Sequence, residues 1–382
     1  MALKVSARGQ IPPFIVMDVM RAANERAATG ADVLHLEVGQ PSTGAPQGVI
    51  AAASAALRDD TLGYTDALGI PALRSAIARH YRDRYGVDLD PVRVVVTTGS
   101  SGAFLLAFLA SFDAGDRVGL ATPAYPAYRN ILRALDLEPV SLEAGPDERY
   151  QATVDLVRRA PQPLDGLVVA SPANPTGTML MPEALAALAR HCETSGIRLV
   201  SDEIYHGITY GPAEATALAS SEQAIVVNSF SKYFSMTGWR LGWMVVPKPL
   251  LRAVECIAQN FFISPPAISQ HAAVAAFECH EELGRNVERY AENRALLLQE
   301  LPKAGFDRLA PADGAFYLYA DVAHLTNDSQ EFCRRILREL GIAVTPGIDF
   351  DPARGHRTLR ISFAGSAGTI SEAARRLRAW RP

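Results

Sequence analysis

The stretch Asn228-Ser229-Phe230-Ser231-Lys232-Tyr233-Phe234-Ser235-Met236-Thr237-Gly238-Trp239-Arg240-Leu241-Gly242-Trp243 decides how the rest of this chain is read. It sets one lysine among hydroxyl side chains, directly after the apolar run Ala224-Ile225-Val226-Val227. An arginine follows eight residues later, between two glycine-tryptophan pairs. A lysine amine at a strand end can form a Schiff base with a carbonyl group, and hydroxyls with a planar guanidinium suit a phosphate. By itself the stretch also reads as a surface lysine in a serine-rich turn, so the choice rests on what stands elsewhere.

Outward from it, strand-like and helix-like segments alternate. Strands are predicted at 92–98, 117–121, 166–170, 198–201, 224–227 and 244–246, and helices at 101–112, 126–135 and 182–195. Such alternation predicts an α/β fold with a mostly parallel sheet covered by helices on both faces, and ligands outside the carboxyl ends of its strands. Before it lie a helix at 14–29 stopped by Gly30, a strand at 32–38, and a helix at 71–85 opened by Pro71. After about residue 285 the character shifts: a charged helix at 285–303, a helix near 329–340, and the short runs Ile342-Ala343-Val344 and Leu359-Arg360-Ile361-Ser362-Phe363 form a smaller α+β portion.

With 382 residues, 48% of them apolar, the chain can bury a large core. A net charge of -4 supplies no basic excess for nucleic acid. Cys192, Cys256, Cys279 and Cys333 are scattered, without metal-ligand spacing, as in a reducing compartment. No metal site is expected. No long uncharged span or sustained N-terminal apolar stretch is present, and the expectation is a soluble cytoplasmic protein without a membrane partner.

Further motifs follow the strand-like runs. Thr98-Gly99-Ser100-Ser101-Gly102 joins a strand to a helix, where free N–H groups and the helix dipole favour an anion. Tyr125 follows 117–121, and an aromatic there is more often core than a binding platform. Asn174 stands in Ser171-Pro172-Ala173-Asn174-Pro175-Thr176-Gly177, which also reads as a plain turn. Asp202 follows Leu199-Val200-Ser201 and could equally cap a helix. Arg360 sits within an otherwise apolar strand and needs an anionic partner, structural or substrate.

These motifs, in this order, resemble the class I/II aminotransferases, the fold-type I pyridoxal-phosphate (PLP) enzymes, over nearly the whole chain from about Ile11. The likeness is greatest to the bacterial aspartate-aminotransferase branch, through Gly39-Gln40-Pro41, Asn174-Pro175-Thr176-Gly177 and the spacing of Ser229, Ser231, Lys232, Met236, Gly238 and Arg240. The resemblance implies a large PLP-binding domain at 46–284 with a seven-stranded sheet, and a small α+β domain from 1–45 plus 285–382. It implies Lys232 as Schiff-base lysine and proton shuttle, Asp202 at the cofactor's ring nitrogen, and Tyr205 and Asn174 at its 3′-oxygen. Ile204 would lie on the ring face and Tyr125 stack on it. Ser100, Ser101, Gly102, Ser229, Ser231 and Arg240 would cradle the phosphate. Arg360 would clamp the substrate α-carboxylate, with Gly39, Asn174 and Tyr125 beside it. Tyr64 would reach the phosphate of a neighbouring subunit, which implies a homodimer.

The reaction implied is ping-pong transfer of an amino group from an L-amino acid to a 2-oxo acid, of aspartate type or broad range. Relatives that recognise acidic side chains carry a lysine just after the phosphate turn; Ser101-Gly102 stand there here, and Tyr125 stands where relatives often have tryptophan. The donor wall is expected from positions near Ile11 to Val16 and from Phe261, Phe262 and Ser264. A carbon–sulfur β-lyase would use the same lysine and aspartate. A non-catalytic PLP-binding regulator would need an added DNA-binding module, for which no room exists before residue 40.

Overall fold

Apolar runs bounded by turn formers build the central sheet of the computed structural model, which describes residues 3–381. Met1, Ala2 and Pro382, the ends of the expected small-domain ranges, lie outside the described residues. After a two-residue strand β1 (Leu34–His35) come the seven sheet strands: β2 (Val94–Thr97), β3 (Arg117–Thr122), β4 (Glu138–Glu143), β5 (Gly166–Ala170), β6 (Arg198–Asp202), β7 (Ile225–Ser229) and β8 (Gly242–Val245). Their order is β2-β8-β7-β6-β5-β3-β4, and β8 alone runs against the others. This is the expected α/β fold with a large, mostly parallel seven-stranded sheet. Strands β2, β7 and β8 are buried along their whole length, which is why they read as continuous apolar runs.

The edge strand β4 was not expected, and its residues explain why. Glu-Pro-Val-Ser-Leu-Glu is half exposed, and Pro139 fits an edge, where a missing donor costs little. Helix Pro71–Tyr85 matches its predicted bounds, with proline in its first turn and Gly86 at φ 67° as C-cap. Five α-helices lie where none was predicted: Gln47–Asp59, Leu251–Phe261, Ala267–Ala276, Ala367–Ala379 and the short Val154–Arg158. The first and third pack together, and their abundant alanines blur the apolar period.

Five further strands follow: β9 (Arg308–Leu309), β10 (Tyr317–Asp321), β11 (Ile342–Ala343), β12 (Thr345–Pro346) and β13 (Thr358–Ser362). Four of them form an antiparallel sheet, β12-β13-β10-β9, while β11 pairs in parallel with β1. Leu34 and Leu36 thereby join the core around Phe316, Phe332 and Phe363. The predicted strand at 32–38 is regular only at Leu34–His35, but Leu36 stays extended, taking an N–H from Ser362 at 2.8 Å and giving one to Ala343 at 3.0 Å. This crossing brings Gly39 to the carboxyl ends of the large sheet.

Candidate active site

Helix Gly99–Ser111 starts directly after β2 without a side-chain cap, so its first N–H groups face outward beside Ser100 and Ser101. Arg240, in the left-handed conformation at φ 52°, folds its guanidinium against this helix start. A Cβ on Gly99, itself at φ +71°, would stand 2.5 Å from Arg240 Nη2, so only glycine lets the arginine close on the turn. Arg240 Nη1 donates to Thr237 O at 3.0 Å, and Thr237 Oγ1 donates to Ser231 O at 3.1 Å. Among the described residues no carboxylate pairs with Arg240. One wall thus gathers free N–H groups, the Ser100, Ser101, Ser231 and Thr237 hydroxyls and an unneutralised guanidinium, the donor set of a phosphate site.

Two expected cradle members stand back from the cavity. Ser229 is buried behind Ser231, its hydroxyl donating to Leu241 O at 3.2 Å and in hydrogen-bond contact with Ser231 Oγ at 3.0 Å. Gly102 lies one turn inside the helix, and a Cβ there would meet Thr98 Oγ1 at 2.6 Å. Tyr64 lies outside this cavity, 84% exposed.

Asp202, at the end of β6, is buried and accepts hydrogen bonds from the Tyr128 hydroxyl and, at 3.0 Å, from Ile204 N. A turn follows it, not a helix, so it caps none. Burial raises its pKa to about 6 against the pull of those two donors. Lys232 points its amine at Gly39, donating to the carbonyl at 2.6 Å, with the Tyr205 ring centroid 5.8 Å away. Burial first, then the positive Arg360 and Arg240, lower its pKa to about 8, against the opposing Asp202. Gly39 has a reason to be glycine besides substrate approach: any Cβ there would overlap the Tyr317 hydroxyl, which meets Tyr205 Oη at 2.6 Å.

Arg360, in β13, is buried without a carboxylate partner among the described residues. It donates to Asn174 Oδ1 at 2.7 Å, to Thr345 Oγ1 at 3.3 Å and to the carbonyl of Glu37, and lies 4.4 Å from the Tyr317 centroid. Its Nε has no partner. A structural ion pair is therefore not its role, and a buried guanidinium with a spare donor suits an incoming anion. Tyr125, with its hydroxyl pKa pushed up to about 12 by burial, packs edge-on against Phe14 at 5.6 Å and Tyr128 at 5.4 Å.

These groups line one cavity, about 870 Å³ with its open mouth included. Of the sequence-predicted residues, Gly39, Ser100, Ser101, Tyr125, Asn174, Asp202, Ile204, Tyr205, Ser231, Lys232, Arg240 and Arg360 line it. Phe14, Val16, Met17 and Val38 form its apolar wall, close to the expected 11–16 segment, whereas Phe261, Phe262 and Ser264 do not line it. Tyr128, Thr237 and Tyr317 were missed. Tyr128, one helical turn after Tyr125, was findable as a second aromatic on the same face.

The residues fit PLP: a neutralisable amine, a buried carboxylate, a phosphate donor set and an unpaired second guanidinium converge in one cavity. The chain matches the family "Aminotransferase class I and II" over residues 31–377. It is 56% identical to the valine–pyruvate aminotransferase of Mycobacterium tuberculosis, covering 99% of both chains. The crystal structure of an aminotransferase from Mycobacterium tuberculosis superposes with a TM-score of 0.98 at 56% identity, again over 99% of both. Aspartate aminotransferase from Thermus thermophilus with maleate superposes at 0.93 and 33% identity, over 99% of this chain and 100% of that one. Built on this lysine, this cavity and this sheet, the chain belongs to the class I and II aminotransferases, fold-type I enzymes that use pyridoxal phosphate.

Proposed function

We propose that this aminotransferase takes its amino group from L-amino acids with small aliphatic side chains, such as valine or alanine, and passes it to pyruvate or a similarly short 2-oxo acid. One observation carries this reading. The cations lining the cavity are Lys232, Arg240 and Arg360, and each has other work, while Phe14, Val16, Met17 and Val38 give it an apolar wall. A side-chain carboxylate would be buried there without a partner, whereas a methyl or isopropyl group would meet apolar surface. The valine–pyruvate name of the 56% identical relative agrees. That and the other aminotransferase relatives leave the β-lyase and regulator readings unfavoured.

Bound PLP supplies the carbonyl that accepts the amine and the ring that receives the electron pair released at the substrate Cα. Lys232 would anchor it, and its amine, when free, could carry the Cα proton. Asp202, oriented by Tyr128, would keep the ring nitrogen protonated. Tyr205 and Asn174 would serve the 3′-oxygen, Tyr125 and Ile204 the ring, and Ser100, Ser101, Ser231 and Arg240 the phosphate, with Gly102 and Ser229 behind them. Arg360 and Gly39 hold the α-carboxylate. Single-turnover mixing with L-valine, L-alanine and L-aspartate, followed by the cofactor's absorption band, tests the donor class. Valine and alanine are expected to react at least about tenfold faster than aspartate; aspartate in the lead would overturn it.

The working unit in this reading is a cytoplasmic homodimer, with 46–284 as the large domain and 1–45 plus 285–382 as the small one. Separate apolar clusters around the two sheets support the division. Free cysteines support a reducing compartment. Exposed Tyr64, Phe261 and Ile263 support the dimer.

A further inference from the structure

Helix Ile15–Ala28 carries the donor wall at its first turn, yet it has no cap of its own: Phe14 occupies the N-cap position and offers no acceptor. The first N–H groups reach across the chain instead. Ile15 N donates to Asp349 Oδ1 at 3.2 Å and Val16 N to Asp349 Oδ2 at 3.1 Å. Asp349 is buried in the turn Gly347–Asp349, directly after β12. The adjoining Phe350 ring lies 4.8 Å from the Arg360 guanidinium carbon, and β12 pairs with β13 at Thr345↔Arg360. On the other side, Phe14 packs on Tyr125, and Arg129 donates to the Asp349 carbonyl at 3.2 Å. One carboxylate therefore joins the apolar wall to the strand pair that bears the carboxylate clamp.

We propose that Asp349 is a positioning residue for donor selection: by capping residues 15 and 16 it sets the wall of Phe14, Val16 and Met17 at a fixed distance from Arg360, so that a branched side chain fills the space between them. The inference rests on the donor class proposed above. Alanine, whose methyl group makes little use of the wall, is the internal control. Loss of two caps at one turn frees the segment to shift while Lys232, Asp202 and the phosphate donors, none of which Asp349 bonds, keep their places.

The test compares wild-type holoenzyme with Asp349→Ala and Asp349→Asn. In Asp349→Ala the KM for L-valine is expected to rise about tenfold with kcat changed far less, and L-alanine kinetics and PLP affinity to stay within about twofold. Asp349→Asn keeps one capping oxygen and is expected to restore part of the valine KM. Hydrogen exchange at the Ile15 and Val16 amides is expected to quicken about tenfold in Asp349→Ala. Equal losses for valine and alanine, or unchanged exchange at both amides, would overturn the proposal. Should the wild type prove to prefer another donor, the donor reading fails by itself, and the exchange rates still decide whether Asp349 holds the wall. If Asp349→Ala does not fold, Asp349→Asn carries both measurements.

Discussion

Lys232 and Asp202 show what burial does to opposite charges in one cavity. The lysine is pushed towards neutrality and the carboxylate towards protonation, and only the first is useful before the cofactor arrives. With Lys232 lowered to about 8, its neutral fraction grows as pH rises and levels off above that value. Loading of the apoenzyme with PLP, read by absorbance, is therefore expected to accelerate with pH up to about 8 and then flatten. Arg360→Gln, which removes one of the charges that lower the lysine, is expected to move the inflection upward. Asp202 works the other way. Its folded pKa of about 6 exceeds the ordinary 3.8, so apoprotein stability falls as pH rises through that interval and stays reduced above it. Asp202→Asn should thus raise the apoprotein's stability at pH 8, by roughly 3 kcal/mol at most, while lowering transamination by orders of magnitude. Calorimetry with single-turnover kinetics checks both; an unstabilised variant would show that the carboxylate is not strained by burial. These residues were legible in the sequence because a lone polar side chain after an apolar strand is conspicuous. Tyr317 was not, since a tyrosine inside an apolar strand looks the same whether it fills core or meets another site hydroxyl.

Among elements, β8 fits closely under the start of helix Gly99–Ser111. A Cβ on Gly242 would meet Asn228 O at 2.8 Å, Gly99 C at 2.9 Å and Ser100 N at 3.0 Å, all backbone atoms with no freedom to swing aside. Gly242 therefore sets how deeply the helix start can sit, and with it the N–H groups proposed to face the phosphate. Gly242→Ala is expected to weaken PLP binding at least about tenfold by shifting those donors, which hold a charged group, with the circular dichroism spectrum unchanged. A variant with wild-type affinity would mean that the turn absorbs the shift. The sequence announced the elements that meet at this point, because buried parallel strands read as apolar runs and Gly-Ser turns mark their ends. It hid β4, where exposure and Pro139 erase the pattern, and the alanine-rich helices, whose small side chains pack closely without an apolar period.

At the scale of the whole molecule, one surface is poorly suited to water. Tyr64, Phe261 and Ile263 are 84%, 57% and 52% exposed, and hydrogen bonds from Thr65 N to Ser264 and from Gln270 Nε2 to Thr65 Oγ1 hold their two loops together. Leu62 and Ile263 adopt positive φ, 50° and 64°, a cost rarely accepted by such side chains unless the loop shape is used. The homodimer proposed above would account for all of this: a second copy would cover the patch, and Tyr64 would gain a target in the phosphate of the facing site. The two roles separate by mutation. Phe261→Glu places a charge in the patch and is expected to shift sedimentation from dimer to monomer. Tyr64→Phe removes only a hydroxyl and should leave the dimer intact while weakening PLP affinity about tenfold, the usual worth of a hydrogen bond to a charged group. An intact dimer with unchanged affinity would mean that each chain completes its own phosphate cradle, and that Tyr64 serves packing alone.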